Sequence, residues 1–165
     1  DPDQGLGIIG NRFRVTGRGV CARGRGGCGA FVSGACHVTP SRLLLDTHIA
    51  LWWFAGNPRL AAGIREEIGR SECWVSAVSV WEVAIKFQLD KLPVAPGAFL
   101  GAARAGGFRL LPITPDHAAA TVELPRFHAD PFDRLLLAQA RQEDLTLLTA
   151  DDALVPYGSN VRHLQ

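Results

Sequence analysis

From residue 42 onward, short apolar runs of strand length alternate with stretches of helical period, and two of those runs lead into an acid. Leu43-Leu44-Leu45 ends at Asp46, and the run from Leu145 to Thr149 is followed by Ala150-Asp151. An unbroken run of branched aliphatics suits a strand buried on both faces, as in a parallel sheet covered by helices. Cys73-Trp74-Val75, Leu110-Leu111 and Val161 to Leu164 read as further strands. Between them the spacing predicts helices over Thr47 to Phe54, Leu60 to Arg70, from Ser76 or Ser79 to about Leu89, and from about Gly97 to Ala105. Thr114-Pro115 and Asp130-Pro131 each place a capping side chain before an N1 proline, opening two more helices, the second reaching about Glu143. The alternation predicts an α/β fold, with a central parallel sheet flanked by helices. Ligands of such sheets bind beyond the carboxyl ends of the strands, so the residues just after each strand are the first candidates for a site.

Residues 1–37 do not share this pattern. Ten of the 18 glycines fall there, mixed with arginine in GRGVCARGRGGCG, and no helical or strand period is sustained. Such a segment buries too little apolar surface to offset its ordering entropy, so it is expected to be disordered or loosely packed. One function would be a basic arm on RNA phosphates. The preferred expectation is an extension that is not part of the domain. The chain has no Met, and Val38, whose codon can be the bacterial start GTG, stands just before the regular pattern. The expected division is 1–37 as a Gly/Arg-rich extension and 38–165 as one domain, a length able to bury a core without a metal or disulfide staple.

Residues 1–40 carry five Arg against Asp1 and Asp3, whereas residues 41–165 carry twelve Lys plus Arg against fourteen acids. The whole-chain charge of +1 argues against a large basic footprint, and the body has carboxylates to spare. Cys21, Cys28, Cys36 and Cys73 form no CxxC pair, so a zinc site is not expected, and Cys73 reads as a small buried hydrophobe. No stretch has the length of a membrane span, and the body is expected in the cytoplasm.

The spare carboxylates have a pattern. Asp46 and Asp151 follow two strands, Glu82 lies early in the helix after Cys73–Val75, and Asp133 lies at the start of the helix after Pro131. A parallel sheet could bring the four to one edge, where they would repel one another unless a divalent cation sat among them. Hard oxygen donors suit Mg²⁺ or Mn²⁺, which can activate water for displacement at a phosphodiester. Each acid also has a local explanation. Asp46 can cap the helix that follows, and Ser79 with Glu82 has capping-box spacing, with Lys86 placed to pair with Glu82. Asp130 and Asp133 suit a helix start, and Asp151 and Asp152 can shape a turn. The chemical case rests on the four together.

LLLDTHIALWW, SAVSVWEVAIKFQLDKL, HADPFDRLLLAQA and LTLLTADDAL occur in this order across residues 42–165. As a set they resemble PIN-domain ribonucleases, specifically the VapC-type toxins of type II toxin–antitoxin systems. The resemblance implies a PIN-like three-layer sandwich whose acids bind Mg²⁺, with Mn²⁺ substituting, and cleave RNA. Carried over by motif, the acids are Asp46 of LLLDT, Glu82 of SVWEVAIK, Asp133 of DPFDRLLLAQA and Asp151 of LLTAD. Thr47 matches a hydroxyl residue that would orient a metal-bound water, and Asp130 belongs to the same string but is explained by capping. The resemblance further implies a homodimer and a cognate antitoxin whose peptide occupies the groove. The Gly/Arg-rich segment has no counterpart.

His48 and His128 flank two of the acids, but this mechanism requires neither, and both read as structural or solvated. Trp52, Trp53, Trp74 and Trp81 read as core or dimer contacts rather than base-stacking platforms. Arg134 is expected either to neutralise carboxylate charge or to touch a substrate phosphate. The reading is therefore an Mg/Mn-dependent endoribonuclease toxin. Its rivals are a housekeeping PIN nuclease of RNA maturation and an inactive PIN fold serving as a binding module.

Overall fold

The computed structural model describes residues 41–164. The segment 1–37 and the expected domain start at Val38 lie outside the described residues. Five strands, β1 (Arg42–Leu45), β2 (Glu72–Ser76), β3 (Arg109–Leu111), β4 (Thr146–Thr149) and β5 (Val161–His163), form one sheet in the order β3-β2-β1-β4-β5. Every neighbouring pair is parallel, as the alternation predicts. The helices are α1 (Thr47–Phe54), α2 (Ala62–Arg70), α3 (Ala77–Gln88), α4 (Pro96–Ala105), α5 (Pro115–Ala120) and α6 (Pro131–Gln142).

The leucine run explains the layering. Leu44 is in register with Trp74 on one side and Leu147 on the other. These three pack into a core with Val78, Leu136, Leu137 and Leu154. Leu43 and Leu45 face the opposite way, into a second core with Ile49, Phe54, Val75, Val83, Phe99 and Leu148. Burial of each such leucine is worth about 2 kcal/mol, and all three of the run are at most 1% exposed. The sheet is thus covered on both faces, with α1 and α4 on one side and α6 on the other.

Local chemistry moves some boundaries. Asn57 Oδ1 accepts the Arg59 amide and Asn57 O accepts that of Leu60, so a turn holds Leu60 in the core and α2 starts only at Ala62. Pro96 takes the first turn of α4, one residue before the expected start. Ser76, not Ser79, caps α3 by accepting the Val78 amide at 2.9 Å. Cys73 is buried as expected, and burial pushes its thiol up to about 12, well away from nucleophilic character. Among the described residues no helix is long and apolar enough to cross a membrane.

The strand order places a switch point between β1 and β4, because the chain winds outward from β1 in both directions. Asp46 leaves the sheet at the carboxyl end of β1, and Asp151 follows the carboxyl end of β4.

Candidate active site

Asp46 is 4% exposed, with extended backbone between β1 and α1. Its amide continues the ladder by donating to Leu148 O at 3.0 Å. Its carboxylate does not cap α1. Instead Oδ2 accepts a 2.7 Å bond from Thr149 Oγ1 at the end of β4. Thr149 Oγ1 in turn accepts the Asp151 amide at 3.1 Å. Asp151 then turns the chain by accepting the Ala153 amide on Oδ1 at 2.9 Å.

Glu82 is 6% exposed and enters from α3. Its Oε2 accepts a 2.6 Å bond from Thr47 Oγ1, and its Oε1 pairs with Lys86 Nζ at 2.5 Å. The pairing expected one helical turn apart is therefore present. The capping-box alternative is not, because Ser76 occupies the cap and the buried Ser79 hydroxyl has no partner.

Asp133 comes from the first turn of α6, where Asp130 caps the helix by accepting the Phe132 amide at 2.8 Å. Its Oδ2 lies 2.7 Å from His128 Nε2. His128, Asp133 and Asp151 each offer one ligand atom, and all three atoms lie within 4.8 Å of one another. The loop carrying His128 is fixed by Tyr157, whose hydroxyl accepts the His128 amide and donates to Pro125 O, both at 3.0 Å.

Charge crowding is evident. Burial raises the pKa of Asp46 above the usual carboxylate range, and the negative charge of Glu82 adds to this, while the Thr149 hydrogen bond and His48 oppose it. Asp133 is pushed up to about 6, first by burial and then by the charge of Asp46, against the stabilising His128 contact. Of the four sequence candidates, Asp133 and Asp151 cluster with His128, Asp46 is tied to Asp151 through Thr149, and Glu82 is linked to Asp46 and Asp46 to Asp133 by charge. Their donor set is hard oxygen, and two of the four hold protons more tightly than a free carboxylate, which is the chemistry a hard divalent cation relieves. Asp46, Glu82, Asp133 and Asp151 suit Mg²⁺ or Mn²⁺ on those grounds.

Two auxiliary expectations change, for Thr47 and Arg134, and the capping role expected of Asp130 is present. Thr47 is fully buried and gives its hydroxyl proton to Glu82, so it orients a carboxylate rather than a water. Arg134 makes no ion pair with an acid among the described residues. Its guanidinium donates to the carbonyls of Thr121, Leu124 and Pro125 at 2.7, 3.1 and 2.8 Å, clamping the loop before α6. Asp130 is exposed and serves as the helix cap. His128 is the residue that sequence reasoning set aside. Its signal was the Asp130-Pro131 helix start, which places Asp133 in the first turn of α6, five residues after His128.

A family model described as PIN domain matches residues 43–157. Ribonuclease VapC22 of Mycobacterium tuberculosis is 36% identical over 115 residues, covering 68% of this chain and 88% of that protein. Among solved structures, a toxin–antitoxin complex from Klebsiella pneumoniae aligns at a TM-score of 0.52 with 18% identity, over 73% of this chain and 95% of that one. FitAcB from Neisseria gonorrhoeae aligns at 0.51 with 19% identity, over 72% and 95%. VapBC2 from Rickettsia felis, bound to a promoter DNA fragment, aligns at 0.52 with 16% identity, over 73% and 97%. At these identities the structural likeness speaks to the fold.

Proposed function

The chain belongs to the PIN-domain family, and from that premise we propose that it is a divalent-metal-dependent endoribonuclease, the toxin of a toxin–antitoxin pair. The observation that supports the reading is the cluster of His128, Asp133 and Asp151, with Asp46 joined to Asp151 through Thr149 and sensing the charge of Glu82, in a relative of a ribonuclease. These four carboxylates are the proposed ligands. A bound Mg²⁺, or Mn²⁺ in its place, supplies an activated water and charge stabilisation for in-line displacement at a phosphodiester.

The chain's own contribution is preorganisation. Thr149 holds one oxygen of Asp46, and Thr47 with Lys86 holds both oxygens of Glu82. His128 holds Asp133 Oδ2 at the end of a loop that Arg134 and Tyr157 keep in place. Asp151 keeps one oxygen on the Ala153 amide and has the other for a ligand role. Side chains so restrained lose little entropy on taking up a ligand. No nucleophilic side chain is required, and no covalent intermediate is proposed.

Partners follow from the same reading: an RNA substrate, a second copy of the chain, and a cognate antitoxin like those of the complexes whose fold this chain shares. The proposed setting is the cytoplasm. A short antitoxin-like gene beside this one separates the toxin from a housekeeping nuclease.

The test is end-mapping of total RNA after exposure to the purified protein. New ends produced by the wild type and absent with Asp46→Asn and Asp133→Asn support the proposal. Equal cleavage by folded variants overturns the assignment of the acids, and no cleavage by the wild type in Mg²⁺ or Mn²⁺ overturns the ribonuclease reading.

A further inference from the structure

We propose that the pocket beside His128 binds one unpaired base of the RNA substrate, stacked on Phe127 with a neighbouring phosphate against Arg126. This rests on the ribonuclease reading and adds a binding site to it. The pocket is an open cavity of about 520 Å³, within the range of small-molecule sites, and Val122, Arg126, Phe127, His128 and Arg134 line it.

Its position is the first argument. His128 forms part of the wall, and its Nε2 lies 2.7 Å from Asp133 Oδ2. The pocket therefore begins one side chain away from the carboxylate cluster. A strand whose phosphodiester is presented to that cluster has a flanking nucleotide within reach of this edge.

The lining is the second. Phe127 is 59% exposed and Val122 84% exposed, an apolar surface left open to water. The Phe127 ring meets Tyr157 edge-on at 5.3 Å, a contact that holds the ring while leaving most of it uncovered. The loop beneath is rigid, since Arg134 binds three of its carbonyls and Tyr157 binds Pro125 and His128. An aromatic ring on a fixed loop costs little ordering entropy when a base stacks on it. Unstacked bases of single-stranded RNA are the natural occupants, because every base presents a π-face.

Charge is the third. Next to a carboxylate-rich edge, an anionic strand needs a cation of its own. Arg126 lies on the pocket wall, is exposed, and has no ion-pair partner among the described residues. Arg134, by contrast, is occupied by the loop carbonyls.

The experiment uses the full chain and a short single-stranded RNA carrying 2-aminopurine, with binding followed by fluorescence quenching in Ca²⁺. Phe127→Leu, Phe127→Tyr and Arg126→Gln are compared, with thermal midpoints as a folding control. The wild type and Phe127→Tyr should quench alike, and Phe127→Leu should weaken binding about tenfold or more, the scale of one lost base stack. Arg126→Gln should weaken binding regardless of base and lower the salt slope by about 1. In cleavage, Phe127→Leu should raise KM more than it lowers kcat. An abasic nucleotide beside the cut should mimic that loss in the wild type and add nothing in the variant. Folded Phe127→Leu with unchanged quenching overturns the proposal, and the ribonuclease reading then still stands or falls on Asp133→Asn. If the wild type cleaves no RNA, that reading fails, and the quenching arm still decides the pocket. Loss of self-association by Phe127→Leu with RNA binding intact would assign the pocket to a second copy of the chain and overturn the proposal.

Discussion

Thr149 Oγ1 donates to Asp46 Oδ2 at 2.7 Å and accepts the Asp151 amide at 3.1 Å, so one buried hydroxyl sets the positions of two of the acids. Thr149 ends β4 and Asp46 follows β1, the two strands that flank the switch point. Thr149→Val keeps the shape and removes both bonds. It should cost about 1–3 kcal/mol of stability, the penalty for leaving buried polar groups unpaired. It should also lower cleavage at limiting Mg²⁺ more than at saturating Mg²⁺, because the Asp46 oxygen loses its orientation. Urea unfolding and a metal titration of the cleavage rate check both parts.

Asp133 gives a pH signature in the metal-free protein. Its pKa is raised from 3.8 to about 6 by burial first and by the Asp46 charge second. The folded state therefore holds a proton that the unfolded chain releases, and stability must fall as pH rises from about 4 to about 6, then level off. The penalty above that window is on the order of 3 kcal/mol. Asp133→Asn removes it, so in chelator the variant should match or exceed the wild type in stability at pH 7 while being inactive. Urea unfolding across pH 4 to 8 is the measurement, and a stability that rises through this window contradicts the origin given for the shift.

The sheet was legible because its strands announce themselves: Leu43-Leu44-Leu45 has no amphipathic alternation, and only a strand covered on both faces buries all three. The positions of Asp46 and Asp151 were legible for a related reason: parallel strands bring the residues beyond their carboxyl ends to one edge of the sheet, whereas Glu82 and Asp133, within helices, stood out through the family motifs. What remained hidden was which partner each polar group would choose. Asp46 and Ser79 both stand where local rules predict capping, yet Asp46 bonds to Thr149, and the cap of α3 is Ser76. Thr47 is 35 positions from Glu82, a pairing set by α3 crossing α1 rather than by sequence spacing. Arg134 sits next to Asp133 in the chain but is turned about 100° around α6, so Asp133 meets the His128 ring while Arg134 binds the loop carbonyls. Helix rotation alone separates those two neighbours.

Arg134 should therefore behave as a loop clamp. Its fork serves three carbonyls at 3.1 Å or less, which a lysine ammonium cannot reproduce at once. Arg134→Lys should destabilise the fold by about 2 kcal/mol and speed amide exchange in residues 121–128. Unchanged exchange there would show that the guanidinium does not clamp the loop.

Residues 1–37 are proposed to be dispensable. A chain beginning at Val38 should match the full chain in thermal midpoint and in cleavage rate at moderate salt. A rate loss on truncation that vanishes at low salt would instead establish the arginine-rich segment as an RNA-binding arm.

The proposed chemistry needs a divalent metal, and cleavage of one labelled single-stranded RNA tests that need. The same preparation is assayed in chelator, then with Mg²⁺, Mn²⁺ or Ca²⁺ added in excess. With Asp46, Glu82, Asp133 and Asp151 as ligands, turnover should be absent in chelator and restored by Mg²⁺ and Mn²⁺. Ca²⁺ should bind yet support little cleavage, because its larger and looser shell positions water poorly. Full turnover in chelator would show that the carboxylates act without a metal and would contradict the proposed mechanism.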